Sequence, residues 1–175
     1  PEFIPTMFGI LHCGAAVVPI NNFLKADEVS YILKDADIDV LVTDTELGSH
    51  FHALAAVRPR LKLFSVDELA GFKCLESHGS KEALGAPAPV SARIPLPGSS
   101  ELAVIIYTSG TTGRPKGAML SHANLLHNVE SCRVILQVTP SDHFAVLLPL
   151  FHSYLLTVGM FLPLLVGGAI VLVKS

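Results

Sequence analysis

The sequence predicts an α/β fold with mostly parallel sheets flanked by helices. Along the 175 residues, short runs of consecutive apolar residues alternate with stretches in which apolar residues recur every three or four positions. The first pattern is typical of strands covered on both faces, and the second of amphipathic helices. Half of the residues are hydrophobic and 15% are charged, so the chain has ample apolar surface to bury in such a fold.

Residues 1–77 are predicted to form a first α/β portion. Ile4, Met7, Phe8 and Leu11 recur with helical spacing and indicate an initial helix. The elements expected after it are a short strand over 14–19, a helix over 29–36 with Asp27 as its N-cap, a strand over 38–43, a helix over 46–57 and a strand over 61–66. Because the run over 38–43 is almost continuously apolar, it predicts a parallel strand covered on both faces.

A change of composition separates this portion from the rest. Residues 78–100 are rich in Gly, Ala, Pro and Ser, with prolines at Pro87, Pro89, Pro95 and Pro97. Prolines at this spacing favour extended backbone outside a sheet, so we predict a linker here. The charge balance changes too, because residues 1–100 hold 8 basic and 12 acidic side chains whereas residues 101–175 hold 4 and 3.

Residues 101–175 are predicted to form a second α/β portion that carries a polar loop. The expected elements are a buried strand over 102–107, the loop over 108–117, a helix capped by Ser121, a strand over 144–148, a helix over 153–166, a Gly-Gly turn at 167–168 and a buried strand over 169–173. The helix capped by Ser121 would have one apolar face, formed by Leu125, Val129, Cys132 and Leu136.

The mean hydropathy of +0.54 raises the question of a membrane-spanning segment. No Asp, Glu, Lys or Arg occurs between Asp142 and Lys174, and this stretch is long enough to cross a bilayer. Gly159, Pro163 and the glycine pair at 167–168 interrupt it, however, and no basic cluster flanks either end. A helix, a glycine turn and a strand explain the stretch equally well, and we predict no membrane span.

Charge and cysteine content exclude several classes of protein. The 12 basic and 15 acidic residues give a net charge of −3, which argues against a general nucleic-acid binder. Cys13, Cys74 and Cys132 are far apart and odd in number, which argues against a disulfide scaffold and favours a reducing cytoplasm. His122 and His127 do not share a helix face, so we predict no metal site formed by protein side chains.

The polar loop contains the residue types of a phosphate-binding site. Residues 107–117 run Tyr-Thr-Ser-Gly-Thr-Thr-Gly-Arg-Pro-Lys-Gly, between the predicted buried strand and helix. Glycines let the backbone approach a phosphate closely, and successive backbone N–H groups form an anion-binding nest. Four hydroxyls can donate to phosphate oxygens, and Lys116 adds a mobile positive charge. The loop is not a Walker A motif, because Lys116 precedes Gly117 and no Ser or Thr follows.

With this loop, the chain resembles the adenylate-forming enzymes, a family of acyl-CoA synthetases, luciferases and adenylation domains of peptide synthetases. Residues 107–117 match the family's phosphate-binding loop, and residues 11–21, 26–44 and 148–173 resemble further family stretches. The resemblance implies part of the large N-terminal domain of an acyl-CoA synthetase-like enzyme. It also implies a two-step reaction, in which a carboxylate attacks the α-phosphorus of ATP to give an acyl-adenylate and coenzyme A then takes the acyl group.

The resemblance also implies roles for individual residues. Loop hydroxyls and amides would hold the β- and γ-phosphates, with Lys116 as a supporting charge. The loop residues concerned are Thr108, Ser109, Gly110, Thr111, Thr112 and Gly113. His152 matches a position near the carboxylate of the acid, where an imidazole orients the attacking oxygen; the alternative is a histidine that only caps an apolar helix. Mg²⁺ would bridge the phosphates, with much of its coordination expected beyond Ser175.

The class of acid depends on position 152. Amino-acid-activating relatives usually have an Asp there, so His152 favours an acyl- or aryl-CoA ligase, with a fatty acid as the first choice. An aryl-CoA ligase, a fragment of a peptide synthetase and an ATP-binding module without catalysis stay open as alternatives. Because the family's later motifs are missing, we interpret the sequence as a piece of a longer enzyme that is inactive alone and self-associates through uncovered apolar surface.

Overall fold

The computed structural model describes residues 2–44, 51–66, 96–108 and 114–173. The chain divides into two compact units, one of residues 1–21 and 95–175 and the other of residues 22–94. Both units combine helices with paired strands, and two of the three strand pairs in the described residues are parallel. The α/β prediction is therefore confirmed. The predicted boundaries 1–77, 78–100 and 101–175 stay a prediction, because most of the linker lies outside the described residues.

In its described residues, the unit of residues 22–94 contains a two-stranded parallel sheet and two helices. Its elements are α2 (Ala26–Asp35), β1 (Val40–Thr43), α3 (Phe51–Val57) and β2 (Lys62–Ser65). The parallel register pairs Val40 with Lys62. Ile32, Leu33 and Leu54 are buried, so the helices supply most of the described core of this unit. The start of the predicted helix over 46–57 lies outside the described residues.

Two predictions for this unit are wrong. The N-cap of α2 is Lys25 rather than Asp27, because the Glu28 carboxylate reaches back and accepts from the Lys25 backbone N–H at 2.9 Å. The apolar run over 38–43 is not covered on both faces, since Val40 is 49% exposed. A parallel pair is therefore present as predicted, but apolar sequence alone did not determine how deeply it is buried.

An ion-pair cluster joins the end of α3 to the start of β1. The Arg58 guanidinium donates to Asp37 Oδ1 at 2.6 Å and to Asp39 Oδ1 at 2.8 Å. The hydrogen bond to Asp37 is the largest cause that raises the pKa of Arg58. Both carboxylates are more than half exposed, so the cluster fixes local geometry more than it stabilises the fold.

The other unit carries the polar loop. Its elements are α1 (Phe3–His12), β3 (Leu102–Thr108), β4 (Lys116–Ser121), α4 (His122–Leu136), β5 (His143–Val146), α5 (Ser153–Leu155), a π-helical turn (Leu156–Phe161), α6 (Leu162–Val166) and β6 (Ala169–Leu172). Its core cluster consists of Met7, Leu11, Val17, Ala103, Val104, Ile106, Leu156 and Met160. The core therefore joins α1, β3 and the helical segment that contains the π turn.

The short strand predicted over 14–19 is reduced to one bridge. The Val17 N–H donates to the Ala103 carbonyl at 2.8 Å, and the Val17 carbonyl accepts from the Ile105 N–H at 2.9 Å. These bonds attach the chain after α1 to β3, although the whole of the other unit lies between them in sequence. Residues 1–21 thus pack with the second half of the chain.

The polar loop does not lead directly into the helix capped by Ser121, because a strand that the sequence patterns do not predict lies between them. Instead, β4 turns back along β3 as its antiparallel partner, from the pair Thr108–Lys116 to the pair Leu102–Ser121. Only then does α4 begin, and Ser121 caps it as predicted: the Ser121 hydroxyl oxygen accepts from the Asn124 N–H at 3.2 Å. The loop therefore lies between two paired strands.

The apolar face predicted for α4 is confirmed over its first three turns. Val129 is buried, and Leu125 and Cys132 are half-buried. Leu136, in contrast, is 52% exposed, so the predicted face does not extend to the end of the helix. That end carries Gln137 in a left-handed conformation as its C-cap.

The long uncharged stretch folds as a helical segment followed by a strand. Helical structure is continuous from Ser153 to Val166, and Gly167 ends it with a φ of 76°, a conformation that glycine adopts without strain. β6 then pairs in parallel with β5. The strand is not buried as predicted, since Val171 is 46% exposed. In the described ranges, no helix is long and apolar enough to cross a membrane.

Candidate functional site

The base of the polar loop is a single strand pair. Thr108 is the last residue of β3, Lys116 is the first residue of β4, and the two are direct partners in the antiparallel register. Both side chains are exposed. The other five predicted loop residues, Ser109–Gly113, lie outside the described residues. The structure therefore brings the two ends of the predicted phosphate loop together and presents both to solvent.

The hairpin that carries the loop is anchored in the core through β3. Val104 and Ile106 of β3 are buried in the core of this unit. At the opposite end of the hairpin, the His122 N–H donates to the Glu101 carbonyl at 3.1 Å and the Ala123 N–H to the Ser99 carbonyl at 2.7 Å. The strand pairing and these hydrogen bonds fix the positions of Thr108 and Lys116, the two ends of the loop.

The position of α4 changes the electrostatic interpretation of the loop. The N-terminus of a helix placed directly after a phosphate loop adds partial positive charge to the site. Here the whole length of β4 separates the loop from the start of α4. The partial charge at the start of α4 is therefore not adjacent to the loop, and the backbone amides, hydroxyls and Lys116 of the loop stay the predicted phosphate-binding groups.

His152 occupies the N-cap position of α5 and is exposed. Its carbonyl accepts from the Leu156 N–H at 2.8 Å, and its N–H donates to the Pro149 carbonyl at 3.2 Å. The imidazole stacks on the Phe151 ring, with 5.4 Å between ring centroids and 28° between ring planes. The backbone bonds thus fix the main chain of His152, and Phe151 contacts one face of its ring. Its described hydrogen bonds and ring contact do not join it to Thr108 or Lys116.

Sequence reasoning missed an apolar cavity in the same unit. The cavity measures about 300 Å³ and lies between α1, α4 and α6. Its lining includes Phe8, Leu125, Val129 and Phe161, with His122 as a polar neighbour. No periodic pattern in one helix could have revealed it, because three helices contribute side chains. In the parts of the chain that the structure describes, no three His, Cys, Asp or Glu side chains come together as metal ligands.

Comparison with known proteins decides the family. A family model described as "AMP-binding enzyme" matches residues 1–175. The chain belongs to this family. Among the solved structures of its neighbours, ATP-bound MatB from Rhodopseudomonas palustris superposes with a TM-score of 0.75 at 29% identity, over 99% of this chain and 33% of that one. The complex of McyG A-PCP with phenylalanyl-adenylate gives a TM-score of 0.76 at 21% identity, which shows the fold alone.

Similar curated members of the family differ in the acids that their names record. Surfactin synthase subunit 1 of Bacillus subtilis is 34% identical over 99% of this chain and 4% of its own length. Long-chain-fatty-acid–CoA ligase FadD15 of Mycobacterium bovis is 34% identical over 87% and 26%, and feruloyl-CoA synthase of Amycolatopsis is 33% identical over 98% and 31%. The chain therefore spans about a third or less of the length of these relatives.

Proposed function

We propose that the AMP-binding chain is part of a ligase, here called the full-length parent, that activates a carboxylic acid with ATP and transfers it to coenzyme A. One observation carries this proposal: Thr108 and Lys116 close the base of a loop whose sequence matches the family's phosphate-binding loop. The family match over residues 1–175 supports it. ATP bound to MatB, the structural neighbour, supports a nucleotide as the ligand of this fold.

The loop acts on the leaving group of the first step. When the acid's carboxylate oxygen attacks the α-phosphorus, the bond to the bridging oxygen breaks and negative charge grows on pyrophosphate. Amides and hydroxyls of residues 108–113 donate to the β- and γ-phosphate oxygens, and the Lys116 ammonium attracts the same charge. Because this charge grows during the step, such contacts stabilise the transition state more than the bound substrate.

His152 orients the acid in this proposal. Its main chain is fixed by the N-cap backbone bonds, and its exposed imidazole, which stacks on Phe151, donates to the carboxylate and so positions it for attack. Mg²⁺, when bound, would neutralise the phosphate charge. Because Mg²⁺ of this kind is bound largely by the substrate phosphates and water, we assign no metal ligand among the described residues.

A fatty acid is the proposed substrate class, supported by the similarity to a long-chain-fatty-acid–CoA ligase and by the absence of Asp at position 152. The apolar run over 154–165 is only weak support for a fatty acid, because part of the run packs inside the protein. Leu155, Leu156 and Met160 of this run are buried in the protein's own core. An aryl acid is the alternative, supported by the similarity to feruloyl-CoA synthase.

A peptide-synthetase adenylation domain is the second candidate, because surfactin synthase subunit 1 aligns with 99% of the chain. Position 152 distinguishes the two candidates, since an imidazole cannot neutralise the ammonium of an amino acid as an Asp carboxylate can.

We also propose a cytoplasmic location, because the few, widely separated cysteines favour a reducing compartment. Exposed apolar side chains of β6 and α4 support self-association of the 175-residue chain.

Acid-dependent exchange of labelled pyrophosphate into ATP tests the proposed function. The full-length parent is assayed with fatty, aryl and amino acids of matched concentration. We expect exchange with a fatty acid, weaker exchange with aryl acids and background exchange with amino acids. Exchange confined to amino acids would establish the peptide-synthetase alternative. A folded parent that shows no exchange with any acid would leave an ATP-binding module without catalysis.

A further inference from the structure

Gly117 lies opposite Tyr107 on the half-exposed face of the β3–β4 hairpin, one strand pair from the base of the loop. A Cβ atom at position 117 would lie 2.7 Å from Ile105 Cγ2 and 3.1 Å from Tyr107 Cζ. The first distance is well below van der Waals contact. The ring of Tyr107 and the branch methyl of Ile105 therefore occupy the space where any side chain at position 117 would begin.

The two neighbours differ in how easily they could make room. A tyrosine ring can tilt by a few tenths of an ångström. Ile105 Cγ2, in contrast, is attached directly to Cβ, and a β-branched side chain in a strand has few alternative positions. A side chain at position 117 would therefore be accommodated mainly by displacement of β4. Because Lys116 is the adjacent residue, that displacement would change its distance from Thr108.

We propose that Gly117 is a positioning residue: its missing side chain lets Ile105 and Tyr107 pack across β4 and so fixes where Lys116 and the end of the loop lie. This inference rests on the proposed function, because it takes the phosphates of ATP as the ligand of the loop. Gly117 itself need not touch the nucleotide. It acts through the packing of β4 against β3.

The test compares the affinity for ATP, measured by titration calorimetry, in variants of the full-length parent. Gly117→Ala should weaken ATP binding about tenfold or more, as expected when charge-assisted contacts to phosphate oxygens are lost or lengthened. Ile105→Ala/Gly117→Ala removes the 2.7 Å contact and should regain most of the affinity of Ile105→Ala alone. If Gly117→Ala does not fold, the comparison of these last two variants carries the test, and a persistent loss of ATP affinity in the double variant overturns the proposal.

Gly168→Ala is the matched control. A Cβ at position 168 would lie 2.9 Å from Phe144 Cε2 and 3.1 Å from the Asp142 carbonyl oxygen, which is similar crowding beside the β5–β6 pair. It should lower the unfolding temperature but leave the ATP affinity within twofold. Equal losses of ATP affinity in the two alanine variants, or no loss in Gly117→Ala, would overturn the proposal.

The positioning role of Gly117 and the proposed function can fail separately. If the parent binds ATP and Gly117→Ala weakens that binding, but no acid supports pyrophosphate exchange, only the proposed function fails. If the wild-type parent does not bind ATP, both proposals fail.

Discussion

Replacing Lys116 by alanine in the full-length parent is expected to slow acyl-adenylate formation about a hundredfold or more. The substitution removes a positive charge from the base of the loop, opposite Thr108, where pyrophosphate acquires charge as it leaves. Thioester formation should change much less, because pyrophosphate takes no part in it. Single-turnover measurements of each half-reaction, the second started from the isolated acyl-adenylate, separate the two effects.

Lys62→Ala provides the control for Lys116→Ala. Lys62 is also an exposed lysine at the first position of a strand, β2, in the other compact unit. The control should leave both half-reactions unchanged, since surface substitutions without specific contacts have small effects. Equal slowing of both half-reactions by Lys116→Ala would remove the role that we assign to this lysine.

Met160→Ala is expected to lower the free energy of unfolding by about 2–5 kcal/mol. Met160 is fully buried in the cluster that also contains Met7, Val104 and Leu156, and its truncation leaves a cavity among them. The residue lies in the π-helical turn, so this cluster joins that turn to α1 and β3. Urea unfolding of the 175-residue chain should show a lower midpoint with an unchanged dependence on urea concentration.

The matched control is the same substitution at an exposed site. Met119 of β4 is 67% exposed, and Met119→Ala should shift the free energy of unfolding by less than about 0.5 kcal/mol. Similar losses in the two variants would show that Met160 is not in a packed core. A changed dependence on urea for Met160→Ala would instead point to an altered unfolded or native state.

Local signals in the sequence predicted much of this fold. The helical spacing of Ile4, Met7 and Leu11 predicted α1, and the capping residue Ser121 predicted the start of α4. β4 could not be found in this way. Its sequence, Lys-Gly-Ala-Met-Leu-Ser, has no β-branched or alternating pattern, and it becomes a strand through hydrogen bonds to β3. Tertiary pairing thus overrode weak local preference.

The sequence patterns also do not predict how deeply each strand is buried or which distant segments of the chain pack together. The apolar runs at β1 and β6 predicted strands correctly but not their exposure, because exposure depends on which neighbours cover each face. The bridge of Val17 to β3 joins segments that are far apart in sequence, and no local sequence pattern predicts it. Similarly, α2 begins two residues earlier than the Asp27 cap predicts, because the Glu28 side chain accepts from the Lys25 backbone N–H.

The sequence predicts which residues belong to the candidate site, but not the strand pairing and packing that position them. Thr108 and Lys116 were assigned to the loop from the motif, and the structure shows that they are strand partners. The contact between Tyr107 and Gly117 was missed, since it requires knowledge of the antiparallel register. A glycine inside a strand was the available signal, because such glycines often mark a close approach by a neighbouring group.

Calorimetric titration of the full-length parent with ATP, pyrophosphate and AMP tests most directly whether residues 108–117 form a phosphate site. The variant Thr111→Val/Thr112→Val removes two loop hydroxyls at nearly constant volume. We predict that its affinities for ATP and for pyrophosphate fall about tenfold or more, as expected for lost hydrogen bonds to charged oxygens, while its affinity for AMP stays unchanged. Unchanged ATP affinity, or an equal loss for AMP, would contradict the assignment of this loop to the β- and γ-phosphates.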